Sequence, residues 1–94
     1  MADTAGEIRY TSRSQRDLDA LAPSDRARIL ADIVRLFHFT VPTAQIKKLK
    51  GLTPPVWQLD SGAFRIFFRR EPPHLWILGI LRKPEQSRRL RHWR

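Results

Sequence analysis

The residues of this chain that could do chemistry are cations. Arg65 and Arg69 sit four apart in the stretch Val56-Trp57-Gln58-Leu59-Asp60-Ser61-Gly62-Ala63-Phe64-Arg65-Ile66-Phe67-Phe68-Arg69-Arg70. Lys47, Lys48 and Lys50 form a basic knot just before it. Arginine forks match phosphate oxygens, so cations held at fixed strand positions suit phosphate recognition and stabilisation of phosphate charge. The three histidines, His38, His74 and His92, are scattered, and the carboxylates are too few and too dispersed for a two-metal nuclease. The sequence has no glycine-rich phosphate loop, no metal-ligand cluster and no nucleophile motif. Any catalysis here falls to arginine, lysine and one histidine, with neither metal nor cofactor expected.

The elements that must position these cations follow from periodicity. The long stretch reads as two strands joined at Ser61-Gly62, with Asp60 facing Ala63, Leu59 facing Phe64, Gln58 facing Arg65 and Trp57 facing Ile66. Alternation puts Trp57, Leu59, Phe64, Ile66 and Phe68 on one side, a core face. Gln58, Arg65, Phe67 and Arg69 fall on the other, a concave basic face. Upstream, Glu7 to Thr11 alternates as an edge strand. Ser12 or Ser14 caps a short helix through Leu18 and Leu21, Ser14 and Asp17 having the spacing of a capping box. A second helix is expected from Asp25 to Phe37, its apolar stripe being Ile29, Leu30, Ile33, Leu36 and Phe37, with Asp32 and Arg35 on the surface. Val41 to Thr53 reads as a connector. Arg70 to Pro73 makes a turn, and His74 to Leu81 is apolar on both faces, as a mid-sheet strand is. In the tail, Pro84 opens a short helix that Ser87 to Trp93 continues. Of the other tryptophans, Trp76 suits core packing, and Trp93 a nucleobase stack or a protein contact.

The 94 residues bound one small domain, 1–94, with residues 1–6 expected as a disordered tail. The absence of cysteine suits a reducing compartment, and no apolar run reaches membrane-spanning or signal-peptide length, so a soluble cytoplasmic protein is expected. Charge is polarised. Residues 1–40 carry six basic and six acidic side chains, whereas residues 41–94 carry twelve basic and three acidic, the whole of the +9 net charge. Such a half answers a polyanion or an acidic protein partner.

Strand, helical hairpin, Lys47-Lys48-Leu49-Lys50-Gly51-Leu52, the long hairpin, then an apolar strand running into Leu81-Arg82-Lys83-Pro84: this order resembles the RelE/ParE superfamily of type II toxins over residues 7–90. The resemblance implies an α+β domain, with strand and helical hairpin on one face of a mainly antiparallel twisted sheet and a short C-terminal helix. It also implies a cognate antitoxin and a toxin–antitoxin hetero-oligomer. RelE-like members cut mRNA in the ribosomal A site without metal, which makes ribosome and mRNA the expected partners. ParE-like members poison DNA gyrase. The RelE reading is preferred; the alternatives are a gyrase inhibitor and a non-catalytic nucleic-acid-binding module derived from a toxin. On the RelE reading Arg65 matches the arginine set against the scissile phosphate. Arg82 and Lys83 match the basic pair that stabilises transition-state charge. The two lysines that RelE carries on the strand of Val56 to Leu59 are missing, Gln58 standing there. The C-terminal tyrosine slot falls near Arg88 or Arg89, leaving His92 or Lys83 as the base. Lys47, Lys48, Lys50, Gln58, Arg69, Arg88 and Arg89 are the expected RNA contacts.

Overall fold

The computed structural model describes residues 6–83. The chain order is β1 (Ile8–Tyr10), α1 (Ser12–Asp19), α2 (Pro23–Phe37), a 3-10 turn (Thr43–Gln45), β2 (Ile46–Lys48), β3 (Trp57–Ser61), β4 (Phe64–Glu71) and β5 (His74–Arg82). One five-stranded sheet has the order β1-β5-β4-β3-β2. β1 runs parallel to β5 at one edge, and the other pairings are antiparallel. This is the α+β architecture expected, with a fifth strand that sequence did not supply: β2 emerges from the connector's basic knot. Three residues are too few for alternation to register. Among the described residues no helix is long and apolar enough to cross a membrane. The expected C-terminal helix, with Pro84, Ser87 and Trp93, lies outside the described residues.

Local chemistry sets the helix ends. α1 is capped by Thr11, whose hydroxyl accepts from Ser14 N–H at 3.1 Å. Ser14 is buried in the first turn and donates back to Thr11 O at 3.0 Å, so neither expected serine is the cap. Asp17 leaves the capping-box role and accepts Ile80 N–H of β5 at 2.9 Å. α2 begins at Pro23, two residues before the expected Asp25, because proline at the first turn presets φ and has no N–H to leave unsatisfied. Arg26 turns back to three carbonyls near the end of α1, Leu18, Asp19 and Leu21, at 3.0–3.3 Å, which satisfies groups the helix leaves open.

The two helices cover one face of the sheet. Leu18, Ile29, Ile33 and Leu36 pack on Leu59, Phe64, Ile66, Phe68, Leu75, Ile77 and Ile80. Leu30, expected in the stripe, is 37% exposed, while Asp32, expected at the surface, is 8% exposed. β5 carries one extra residue opposite Phe67–Phe68, so Leu78 bulges and Ile77 and Ile80 both reach the core although three apart. The cap and last turn of α1 secure that bulge: Thr11 Oγ1 donates to Leu78 O at 3.1 Å, while Asp17 holds Ile80 N–H. Gly6, assigned by sequence to a tail, packs on Pro73; a Cβ there would come within 1.6 Å of Pro73 O.

Candidate polyanion site

The central hairpin differs from the expected pairing by two residues. Ser61 pairs with Phe64, leaving Gly62-Ala63 as the turn, with Gly62 at φ 59°. Positive φ at the first turn position alone is the glycine-first hairpin pattern. Because strands alternate with period two, a two-residue slip keeps every side chain on its expected face while changing its partner. Arg65 therefore stands opposite Asp60, not Gln58, and its Nε donates to Asp60 Oδ1 at 3.1 Å. Among the described residues its terminal amines have no partner, so the fork is oriented and still open to an anion.

α2 anchors this hairpin end from behind. Asp32 Oδ2 accepts from Ser61 Oγ at 2.5 Å, and Asp32 also pairs with Arg35 one turn on. The Arg28 guanidinium lies beneath Gly62, 2.7 Å from where a Cβ would project. Sequence offered little signal for this tie, since an aspartate in mid-helix is by default an outward residue.

On the face opposite the helices, three cross-strand rows hold the candidate residues, beyond which Glu71 pairs with His74. Asp60, Arg65 and Leu81 form the first; Lys47, Gln58, Phe67 and Gly79 the second. The third joins Arg69, Trp76 and Arg9. This face is not the continuous basic concavity that alternation suggested. Phe67 is fully buried and Gln58 only 5% exposed. Leu49 and Leu52 fold over Val56, Phe67 and Leu81 as a second apolar cluster, with Leu78 at its side. A hydrogen bond from Leu49 N–H to Val56 O at 2.9 Å ties down that loop. The ridge separates Arg65 from Arg69, which four strand residues hold about 13 Å apart. Gln58, buried beneath this layer, is not an exposed RNA contact in this structure.

The other candidates divide accordingly. Lys83 N–H donates to Ala63 O at 3.1 Å just past the end of β5, which places its backbone beside the hairpin turn. Arg82 is opposite Phe64 and stacks on its ring at 4.7 Å, on the helix side of the sheet. Arg65 and Lys83 both lie at the turn end of the hairpin, while the Arg82 side chain starts from the face opposite Arg65. Arg69 donates to Glu71 at 3.3 Å, with its Nε buried and without a hydrogen-bond partner among the described residues. Trp76, expected in the core, joins neither apolar cluster; it is half-buried beneath Arg9, whose guanidinium is 5.9 Å from the ring. Lys47 and Lys48 project from opposite faces of β2, Lys48 over the Trp57 ring at 5.9 Å, and Lys50 is exposed on the following loop. His92, Arg88, Arg89 and Trp93 lie outside the described residues.

No family model matches the sequence, and no curated protein matches it; the likeness is structural. The archaeal RelE in complex with RelB from Pyrococcus horikoshii OT3 superposes with TM-score 0.68 at 18% identity, over 85% of this chain and 96% of that one. RelE in the intact E. coli RelBE complex gives 0.64 at 15%, over 80% and 93%. The RelBE2 complex from Mycobacterium tuberculosis gives 0.57 at 27%, over 81% and 95%. The fold is that of the RelE/ParE toxin superfamily.

Proposed function

We propose that this chain is the toxin of a type II toxin–antitoxin system and, more narrowly, a ribosome-dependent endoribonuclease acting on mRNA in the cytoplasm. The likeness to RelE structures solved with their antitoxins supports the toxin reading and a cognate antitoxin as partner. One observation carries the nuclease reading: Arg65 stands at the turn end of the central strand with Nε held by Asp60 and its terminal amines unpartnered among the described residues.

RNA cleavage by the neighbouring 2′-hydroxyl needs that oxygen deprotonated, the added phosphate charge stabilised and the leaving oxygen protonated. Arg65 supplies the second need, with Lys83, whose backbone joins the hairpin turn at Ala63, as a further cation. Arg82 would reach the phosphate around the sheet's end, from the Phe64 side. The proton-transfer roles fall to Lys83 or to His92.

A gyrase-inhibiting reading is favoured by a different observation. The strand neighbours of Arg65 are Leu81 and an ion-paired carboxylate, and no lysine stands on β3. Induced expression with mRNA 5′-end mapping, run beside a gyrase supercoiling assay, separates the two. New mRNA 5′ ends within codons with unimpaired supercoiling confirm the nuclease; lost supercoiling with intact mRNA transfers the function to gyrase.

A further inference from the structure

Helix α2 ends in a Schellman turn. Thr40 N–H donates to Arg35 O at 2.9 Å and Phe39 N–H to Leu36 O at 3.1 Å. That turn requires a left-handed residue after the cap, and glycine is its usual occupant. Here Phe39 takes φ 59°, at a cost of about 1–2 kcal/mol for a residue with a Cβ. Burial does not recover that cost, since Phe39 is 75% exposed. A strained, exposed aromatic points to a role outside the monomer's own packing.

Phe39 is also placed over a cation that lacks a counter-ion. Its ring centroid is 4.4 Å from the Arg70 guanidinium, which has Phe68 at 5.4 Å on another side. The other polar contact of Arg70 is a long one, 3.5 Å from Nη2 to Leu36 O. No carboxylate pairs with it among the described residues, and burial lowers its pKa. On one side of this pair is a hollow of about 240 Å³ between Leu36, Ile46, Trp57 and Phe68. On the other is a hollow of about 210 Å³ between Phe37, Pro72 and Leu75. The exposed large apolar side chains of the described residues, Leu30, Val34 and Phe39, all belong to α2 or its cap.

We propose that this groove, on the helix side and away from Arg65, is an antitoxin-docking site. It takes an extended acidic–apolar segment: apolar side chains enter the two hollows, and a carboxylate between them pairs with Arg70. Charge complementarity selects this occupant. A half-buried guanidinium gains most from a carboxylate that arrives with its own apolar cover, and aromatic and arginine side chains are the usual anchors of such contacts. A second copy of the chain brings a +9 charge against the same cation. A nucleic acid brings anions but nothing that fills two apolar hollows. The identity of the occupant rests on the toxin reading; the chemistry of the groove does not.

The test uses the full chain and two probes. One is the protein encoded by the reading frame adjacent to the gene, titrated by calorimetry against the native chain, Phe39→Asn, Arg70→Met and Arg65→Ala. Asparagine tolerates left-handed backbone and methionine keeps the apolar stem, so both groove variants are expected to fold, as thermal melting checks. Each should weaken the complex about tenfold or more, while Arg65→Ala changes it less than about twofold. The second probe is acetyl-Leu-Glu-Leu-Glu-Leu-amide against its glutamine counterpart, followed at the Trp57 indole resonance. Only the acidic peptide should shift it. Undiminished affinity in folded Phe39→Asn overturns the proposal, as does a Trp57 shift produced by oligouridylate and not by the acidic peptide. Failure of mRNA cleavage with these shifts intact would sink the nuclease reading alone.

Discussion

Arg65 and Phe39 show opposite uses of a single side chain. Arg65 is oriented by Asp60, and the pair is partly exposed, with side-chain accessibilities of 28% and 45%. Pairs of this exposure contribute about 0–1 kcal/mol, so Arg65→Ala should melt within a few degrees of the native chain. Losing a preorganised phosphate donor should lower the cleavage rate by about 10²–10³. Arg65→Lys keeps the charge but loses the fork, and should recover only part of that loss. A folded Arg65→Ala chain that still arrests growth would remove the nuclease mechanism. That Arg65 faced away from the core was legible from alternation; its partner was not, because Ser61-Gly62 and Gly62-Ala63 both suit a two-residue turn. Phe39 left no signal in sequence, since the left-handed position after a helix is ordinarily announced by glycine.

Elements here are tied to one another by buried polar groups that no periodicity reveals. Asp32 joins α2 to the β3–β4 hairpin through Ser61, at the end of the sheet that carries Arg65. Asp32→Ala removes a buried acceptor and strands the Ser61 hydroxyl, at a cost of about 1–3 kcal/mol. Chemical denaturation should show that loss. Ser61→Ala should show a comparable one, and the double variant should cost less than their sum. Additive losses would mean that the two groups do not interact. Likewise Gly6→Ala should destabilise the chain, since its Cβ would collide with the Pro73 backbone rather than with a flexible tip. The strand faces survived a misplaced turn because a two-residue slip preserves them. The β5 bulge did not show, since Leu78 continues an unbroken apolar run in which one extra residue changes no pattern.

At the scale of the whole molecule, charge and topology decide how much of the basic excess can meet one polyanion. Sequence located that excess in the second half; the fold spreads it over both sheet faces. Lys47 and Lys48 project oppositely from β2, and Lys48 is already placed over Trp57. A single RNA strand tracking one face therefore engages at most two of Lys47, Lys48 and Lys50. Each phosphate contact adds about 0.7 to the slope of log affinity against log salt for a single strand. Replacing all three lysines with glutamine should flatten that slope by no more than about 1.4, where three engaged lysines would give about 2. Single replacements should separate the two faces: Lys47→Gln and Lys48→Gln cannot both act on the same strand, so one of them leaves the slope unchanged. Titration of a fluorescent oligoribonucleotide from low to moderate salt measures it. Equal losses from Lys47→Gln and Lys48→Gln would show that RNA wraps the β2 edge and would discard the one-faced footprint.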